Sequence, residues 1–401
     1  MTLWRNRDFA ALFSAQLVST LGATVTGTAM PLLVLTLTGS PADAGLVGAA
    51  GALPFLVAGL IAGPLVDRWN RRTILLAAEI VAGLALATVP IALWLDRAAV
   101  AHLAVVAFVQ GLCAVFFGLA ERAALPLVVP ASRIAAAVAR NEARSRGAAL
   151  AGPPLGGLLF GLGRSIPFVA DSLSYLLSAL VLLFVRRDLR ASVPPAAGPL
   201  RRSAAEGLRW VWRHPLVRAA ILLLAVSNFV FQALVLVIVV LARDRGATPA
   251  AVGVMLGIYS AGGFLGALAA TRLHRVFSSR TVIIGVTWVW AALLPFFAVA
   301  TDVGRIGLLG AACAFAGPLF DVVLMAYAAV LVPNELMGRV MAAAMTVTWG
   351  VLPLASLAAG FLLTALGPVV SIGVLSAVML AAALGGTLSP AVRRAPLLEN
   401  A

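Results

Sequence analysis

The chain has no lysine: all 29 of its basic residues are arginine. A Gly-x-x-x-x-Gly-Lys-Ser/Thr loop is therefore impossible, and an ATP motor within this chain is excluded. Cysteine is almost absent. Cys113 and Cys313 both fall inside apolar runs, so neither a disulfide framework nor a thiolate metal cluster is available. The three histidines, His102, His214 and His274, stand near the ends of apolar runs and do not group. Neither His-Glu-x-x-His nor Gly-x-Ser-x-Gly occurs, which removes the commonest patterns of an intramembrane hydrolase. Charge is scarce too: 11% of residues, against about 25% in a soluble domain.

What is abundant is apolar. Hydrophobic residues make up 62% of the 401, and mean hydropathy is +1.06. A water-facing globule could not enclose that much apolar surface, so the class is a polytopic membrane protein. The net charge of +14 then reads as arginine kept in cytoplasmic loops beside anionic headgroups, not as nucleic-acid binding. Arg5 and Arg7 precede an apolar run over 9–37. That run exceeds a signal core of ~7–15 residues and predicts an uncleaved first helix.

Crossing a bilayer takes about 20 apolar residues. The pattern predicts twelve such helices, near 9–37, 41–66, 73–95, 99–122, 143–162, 166–185, 216–242, 249–271, 280–300, 304–331, 339–365 and 368–388. One long connection, 186–215, carries Pro194, Pro195 and Pro199. It divides the chain into an N-terminal half (1–185), a cytoplasmic linker (186–215) and a C-terminal half (216–401). With the N-terminus inside, only Arg97, Arg164, Arg243, Arg245 and Arg305 fall outside, and the other 24 arginines fall inside. That bias predicts a multi-pass protein of the cytoplasmic (inner) membrane with both termini cytoplasmic.

The halves repeat one another. Ser40-Pro41 and Thr248-Pro249 each pair a capping hydroxyl with proline at the first helical position. At the same offset of 208, Gly45 matches Gly253 and Arg72-Thr73-Ile74 matches Arg280-Thr281-Val282. Leu125–Pro130 matches Ala328–Pro333, and Asn141-Glu142 matches Asn334-Glu335, each with an arginine four residues past the glutamate (Arg146, Arg339). Duplicated six-helix halves are the plan of alternating-access transporters. Within the linker, Ala204, Leu208, Val211 and Trp212 recur at helical spacing among arginines. They predict an amphipathic helix on the cytoplasmic leaflet.

Between the second and third helices, Gly63, Asp67, Arg68, Arg71 and Arg72 resemble the Gly-x-x-x-Asp-Arg-x-x-Arg-Arg signature of the major facilitator superfamily. Gly152-Pro153-Pro154-Leu155-Gly156-Gly157 resembles the antiporter motif of drug exporters. Ala148 stands where the fuller motif has glycine, and the fourth helix lacks the arginine many proton-coupled exporters carry. Phe168–Ser174, Glu206–Pro215 and Pro333–Val340 are similar to the enterobactin-exporter-like and macrolide-efflux-like branch. The resemblance implies an all-α fold of twelve transmembrane helices in two pseudo-symmetric halves. It also implies that Asp67, Arg71 and Glu121 form a cytoplasmic latch, facing the start of the eleventh helix at Gly338 and Arg339. The plainer reading of the loop is a solvated turn that fixes topology alone.

Ionisable groups inside the spans cost ~2.5–3.5 kcal/mol each on insertion scales. Asp321, deep in the tenth helix, is the candidate proton carrier. Glu79 and Asp171, on helices the resemblance makes peripheral, suit structural roles better. Gln16, Thr20, Thr24 and Thr28 form one stripe, and Asn228 with Gln232 another; with Gln110, Tyr259 and Met325 they are the candidate substrate cavity. Phe116, Phe117 and Phe231 could add apolar walls. The function expected is export of an amphipathic small molecule by proton antiport, typical of drug resistance. No cofactor, metal or nucleic acid is expected; the partners are substrate, protons and lipid, and the chain should act as a monomer and not as an enzyme. Uptake, uncoupled facilitation, and a receptor on a transporter scaffold remain as alternatives.

Overall fold

The computed structural model describes residues 6–57, 59–185, 187, 189–190, 200–333 and 336–393. Among them there is helix and no strand. That is the outcome bilayer physics requires of apolar runs, because a helix satisfies its own backbone.

The N-terminal helices are α1 (Arg7–Thr38), α2 (Pro41–Val57), α3 (Gly59–Arg68), α4 (Arg71–Trp94), α5 (Val100–Val128), α6 (Ile134–Leu162) and α7 (Ile166–Leu182). The remainder are α8 (Leu200–Arg213), α9 (Pro215–Asp244), α10 (Pro249–Val276), α11 (Ser279–Leu293), α12 (Phe296–Val299), α13 (Val303–Leu331), α14 (Met337–Gly350), α15 (Leu352–Leu388) and α16 (Pro390–Arg393). Eight stretches are long and apolar enough to cross a membrane unaided; one of them, Met337–Leu388, holds the last two expected spans. With α2–α3, α6 and α7, every expected span falls on helix.

Caps explain the starts. The Ser40 hydroxyl accepts from Asp43 N at 3.2 Å, and Thr248 Oγ1 accepts from Ala251 N at 3.3 Å. Both hydroxyl-proline starts thus serve as expected. Asn70 caps α4 and Ser278 caps α11, again 208 residues apart. Gly39, at φ 68°, closes α1 in the left-handed region. Gly367, at φ 73° and followed by Pro368, interrupts α15 where two spans were expected to meet.

Some boundaries differ from the sequence reading. α6 begins at Ile134, not near 143. Its first turns carry Arg140, Asn141 and Glu142, so hydropathy sees a loop where a polar, water-facing helix end stands. Val351 separates α14 from α15.

The chain forms two compact units. The first comprises 1–39, 46–197 and 248–257; the second comprises 40–45, 198–247 and 258–401. Each unit therefore holds a short helix start from the other part of the sequence. In the first unit, Phe9, Leu12, Leu75, Leu125, Val128, Leu182 and Leu189 are buried together, joining the start of α1 to the ends of α5 and α7. Large apolar side chains elsewhere point outward. Leu84, Leu173, Leu180 and Phe184 are more than half exposed in the first unit, as are Leu265, Leu268 and Phe361 in the second. Such a surface suits hydrocarbon and not water.

Candidate functional site

The Gly63–Arg72 stretch is tied down by its arginines. Arg71, almost fully buried, directs Nη1 at the Leu189 carbonyl at 3.5 Å. Arg72 Nη2 donates to Leu183 O at 2.8 Å. Leu183 is the C-cap of α7, where orphan carbonyls and the helix dipole favour a guanidinium. Arg68 is exposed, and a Cβ on Gly63 would meet open space. The side chain of Asp67, together with Asn334 and Glu335, lies outside the described residues.

Glu121 has its own partners. Its Oε1 accepts from Arg144 Nη2 at 3.1 Å and from Asn141 Nδ2 at 3.0 Å, and the Arg144 guanidinium lies 5.8 Å from the Phe13 ring centroid. Among the described side chains, Arg71 serves the α7 end and Glu121 serves α6. Arg144 falls inside the expected 143–162 span but escaped sequence reasoning because its partner Glu121 stands on another helix. Arg339 pairs with Glu206 on α8 at 2.5 Å, while a Cβ on Gly338 would meet nothing.

That pairing belongs to a wider contact, in which α8 docks on α14. Val211 is buried with Val340 and Ala343, and a side chain on Gly207 would strike the Arg339 carbonyl. Leu208 and Trp212 remain about half exposed. Ala204 lies where side chains are not described.

The antiporter-like motif is a packing surface. Side chains at Gly152 and Gly156 would collide with Thr24 and with Val25 and Thr28 of α1. A Cβ on Gly157 would collide with Pro249 and Gly253, and one on Gly253 would lie 2.5 Å from Pro153 O. Gly45 is the counterpart in the second unit, its Cβ position 2.5 Å from Ser356 O and 2.8 Å from Gly360 Cα. The matched glycines at offset 208 are therefore close-approach points, for which small residues are the general solution in membranes.

Polar residues inside the spans divide between packing and cavities. Thr24 Oγ1 donates to Leu21 O and Ala148 O, and Thr28 to Thr24 O. Gln16 is buried, Gln110 Nε2 reaches Ala82 O at 3.0 Å, and Gln232 Nε2 reaches Ser356 Oγ at 3.2 Å. Thr24, Gln110 and Gln232 thus join helices, while Thr28 bonds back within α1. Met325 is half exposed. Of the expected set, Thr20 lines one cavity, and Asn228 with Tyr259 lines another.

The second-unit cavity, about 160 Å³, is bounded by Asn228, Phe231, Tyr259, Trp290, Cys313 and Asp321. Asn228 is fixed by Nδ2 donating to Thr348 O at 3.0 Å, and Trp290 by Nε1 donating to Cys313 O at 2.8 Å. Trp290 also meets Phe231 edge-on, centroids 4.9 Å apart. Trp290 was not anticipated. Its place follows from Ala82, 208 residues earlier, which lines the matching first-unit cavity.

That first-unit cavity, about 170 Å³, is lined by Ser19, Thr20, Glu79, Cys113, Phe117 and Tyr175. Each cavity has one carboxyl and no basic side chain in its lining. Each also contains one of the two cysteines, and an acid follows each cysteine by eight residues: Glu121 and Asp321. Asp171, by contrast, is structural. It is buried, accepts from Thr26 Oγ1 at 2.5 Å and Ser174 Oγ at 3.0 Å, and fills the space a Gly22 side chain would need. A larger cavity, about 730 Å³, lies between α3, α4 and α5. Its polar groups (Arg68, Trp69, Asn70, Thr73) cluster with Arg190, and the rest of its wall is apolar.

Residues 2–394 match the family described as "Transmembrane secretion effector". The chain belongs to this family, within the major facilitator superfamily. It is 28% identical over 420 residues, spanning both chains completely, to the multidrug efflux pump Tap of Mycolicibacterium fortuitum. It is 30% identical over 300 residues, 71% of this chain and 70% of the other, to the uncharacterized MFS-type transporter YfiS of Bacillus subtilis. Among solved structures, the nucleoside transporter NupG superposes with a TM-score of 0.79 at 10% identity, covering 95% of this chain and all of that one. A bacterial homologue of the human lysosomal transporter Spinster gives 0.73 at 15% identity, with 98% of each chain covered. At such identities the structures show the fold alone. This family member is a multi-pass membrane transporter of the efflux-type branch and not an enzyme.

Proposed function

We propose that the protein exports amphipathic small molecules from the cell by proton antiport and alternating access. It would sit in the cytoplasmic membrane with both termini inside and work as a monomer. The observation that carries this reading is the second-unit cavity, where Asp321 shares a wall with Asn228 and three aromatic rings. A carboxyl placed there can take up a proton, and the rings offer apolar surface to a hydrophobic solute. The efflux pump relatives support the direction.

Reconstitution tests it. In proteoliposomes an imposed pH gradient should drive flux of an amphipathic dye such as ethidium. Asp321→Asn should abolish the driven component while leaving dye exchange measurable; unchanged driven flux would remove Asp321 from coupling. The uncoupled-facilitator reading keeps one specific support, Ala148 at the antiporter-motif glycine position. It predicts flux down the dye gradient that ignores pH.

A further inference from the structure

Glu79 is the acid the export mechanism leaves unused. It stands on α4 and is 2% exposed, and its Oε2 has no hydrogen-bond partner. The hydroxyls of Ser19 and Ser178 lie near the carboxyl, although Ser178 Oγ makes no hydrogen bond. The groups facing it can be named element by element. α1 offers only the hydroxyls of Ser19 and Thr20; α5 offers Cys113 and Phe117; α7 offers Tyr175, with Asp171 beyond.

A carboxyl withdrawn from water is stable when neutral or when a cation joins it. No arginine or histidine lines this cavity, so a permanent counter-charge must come from outside. A proton alone needs no space, whereas this carboxyl opens on about 170 Å³. A divalent ion would want six or more oxygen ligands. The polar and aromatic groups of the walls are one carboxyl, three hydroxyls (one of them the Tyr175 phenol), a thiol and two aromatic rings, and among the described residues no metal-binding cluster occurs. Aromatic faces beside a carboxylate instead suit an alkylated ammonium, which gains from ring quadrupoles and tolerates apolar contact. Drug-sized ligands occupy pockets of ~300–1,000 Å³, so this cavity takes a head group and not a whole molecule.

We propose that the Glu79 cavity is a binding site for the ammonium group of an organic cation. The site deepens the export reading by naming its cargo as cationic, yet binding stands apart from flux. The test uses the full-length protein in lipid nanodiscs, with phenyltrimethylammonium and its neutral isostere tert-butylbenzene as probes in equilibrium dialysis. The wild type should bind the cation roughly tenfold or more tighter than the isostere. Acidification should weaken cation binding, since proton and ammonium compete for one carboxylate. Glu79→Gln should erase the preference for charge, and Glu79→Asp should restore part of it. Equal binding of the two probes by the wild type would overturn the proposal. So would pH-independent cation binding, or full preference in a monodisperse Glu79→Gln protein. Should that variant not fold, the wild-type probe pair and pH series decide. Binding without flux would count against export; flux without Glu79-dependent binding would count against this site.

Discussion

The two cavities solve one problem in different ways. In the first unit the cavity acid comes from α4, at Glu79; the residue 208 positions later, Thr287, is buried and bonds back to Ile283 and Ile284 of its own helix. In the second unit the acid comes from α13, at Asp321, eight residues past the cysteine. Its counterpart Glu121, eight past the other cysteine, is held by Arg144 and Asn141. A duplicated scaffold thus keeps one carboxyl per cavity but moves it between helices. The difference shows that an acid's role in this fold follows from what its neighbours supply. Glu121 is held by a guanidinium and an amide, Asp171 by two hydroxyls, and Glu79 faces a cavity with no basic side chain in its lining.

Removing Arg144 should break this contrast most severely. The Arg144 side chain is 6% exposed and that of Glu121 18%, so Arg144→Ala leaves a carboxylate in a largely dry site. Breaking a buried pair from one side costs ~3–5 kcal/mol. Thermal unfolding in detergent should fall accordingly, and Glu121→Gln in the same chain should recover part of the loss. Asp321→Asn, which keeps the side chain's size and one hydrogen-bonding oxygen, should cost less than Arg144→Ala. Equal losses at both sites would mean the two acids play the same part.

The glycine seams allow a second comparison, because each unit has one. Gly157 and Gly253 meet backbone atoms in the first, Gly45 and Gly360 in the second. A methyl group at any of the four has no flexible side chain to displace. Overpacking of this kind costs ~1–3 kcal/mol, and Gly45→Ala and Gly253→Ala should fall in that range together. Gly161→Ala, on the motif-bearing helix but facing open space, should be neutral or slightly stabilising. Unfolding midpoints of the three variants check this, and a neutral Gly253→Ala would dissolve the seam.

Much of this was legible before any coordinates. Apolar length gave the spans, and the caps at Ser40 and Thr248 follow from residue type and position; those at Asn70 and Ser278 emerged with the structure. Repeats spaced by 208 pointed to Gly45 and Gly253, although their reason, backbone meeting backbone, is a property of three dimensions. The site was less legible. A stripe such as Gln16, Thr20, Thr24 and Thr28 says that one helix face avoids lipid; it does not say whether a helix or a cavity lies opposite. Here Thr24 meets Gly152, whereas Thr20 lines a cavity. For Glu79 the resemblance suggests a structural role on a peripheral helix, while its burial and its unbonded Oε2 are facts of packing. Arg144 was missed because its partner, Glu121, lies on another helix, a contact that spacing along one helix does not reveal.

The smallest effect expected concerns the ion pair between α8 and α14. Glu206 on α8 and Arg339 on α14 meet at 2.5 Å, but their side chains are 47% and 44% exposed. Water screens both charges and ordering two long side chains costs entropy, so exposed pairs contribute ~0.2–1 kcal/mol. A double-mutant cycle of Glu206→Ala and Arg339→Ala should return a coupling in that range, well below the Glu121–Arg144 coupling, and should shrink in high salt. The docking of α8 should survive both substitutions, since Val211 is buried with Val340 and Ala343 and Gly207 rests on the α14 backbone. Gly207→Leu is the contrasting variant: it leaves every charge in place and obstructs the contact. If Arg339→Ala loosened α8 more than Gly207→Leu, measured by proteolysis of the linker, the helix would be held by charge and not by packing.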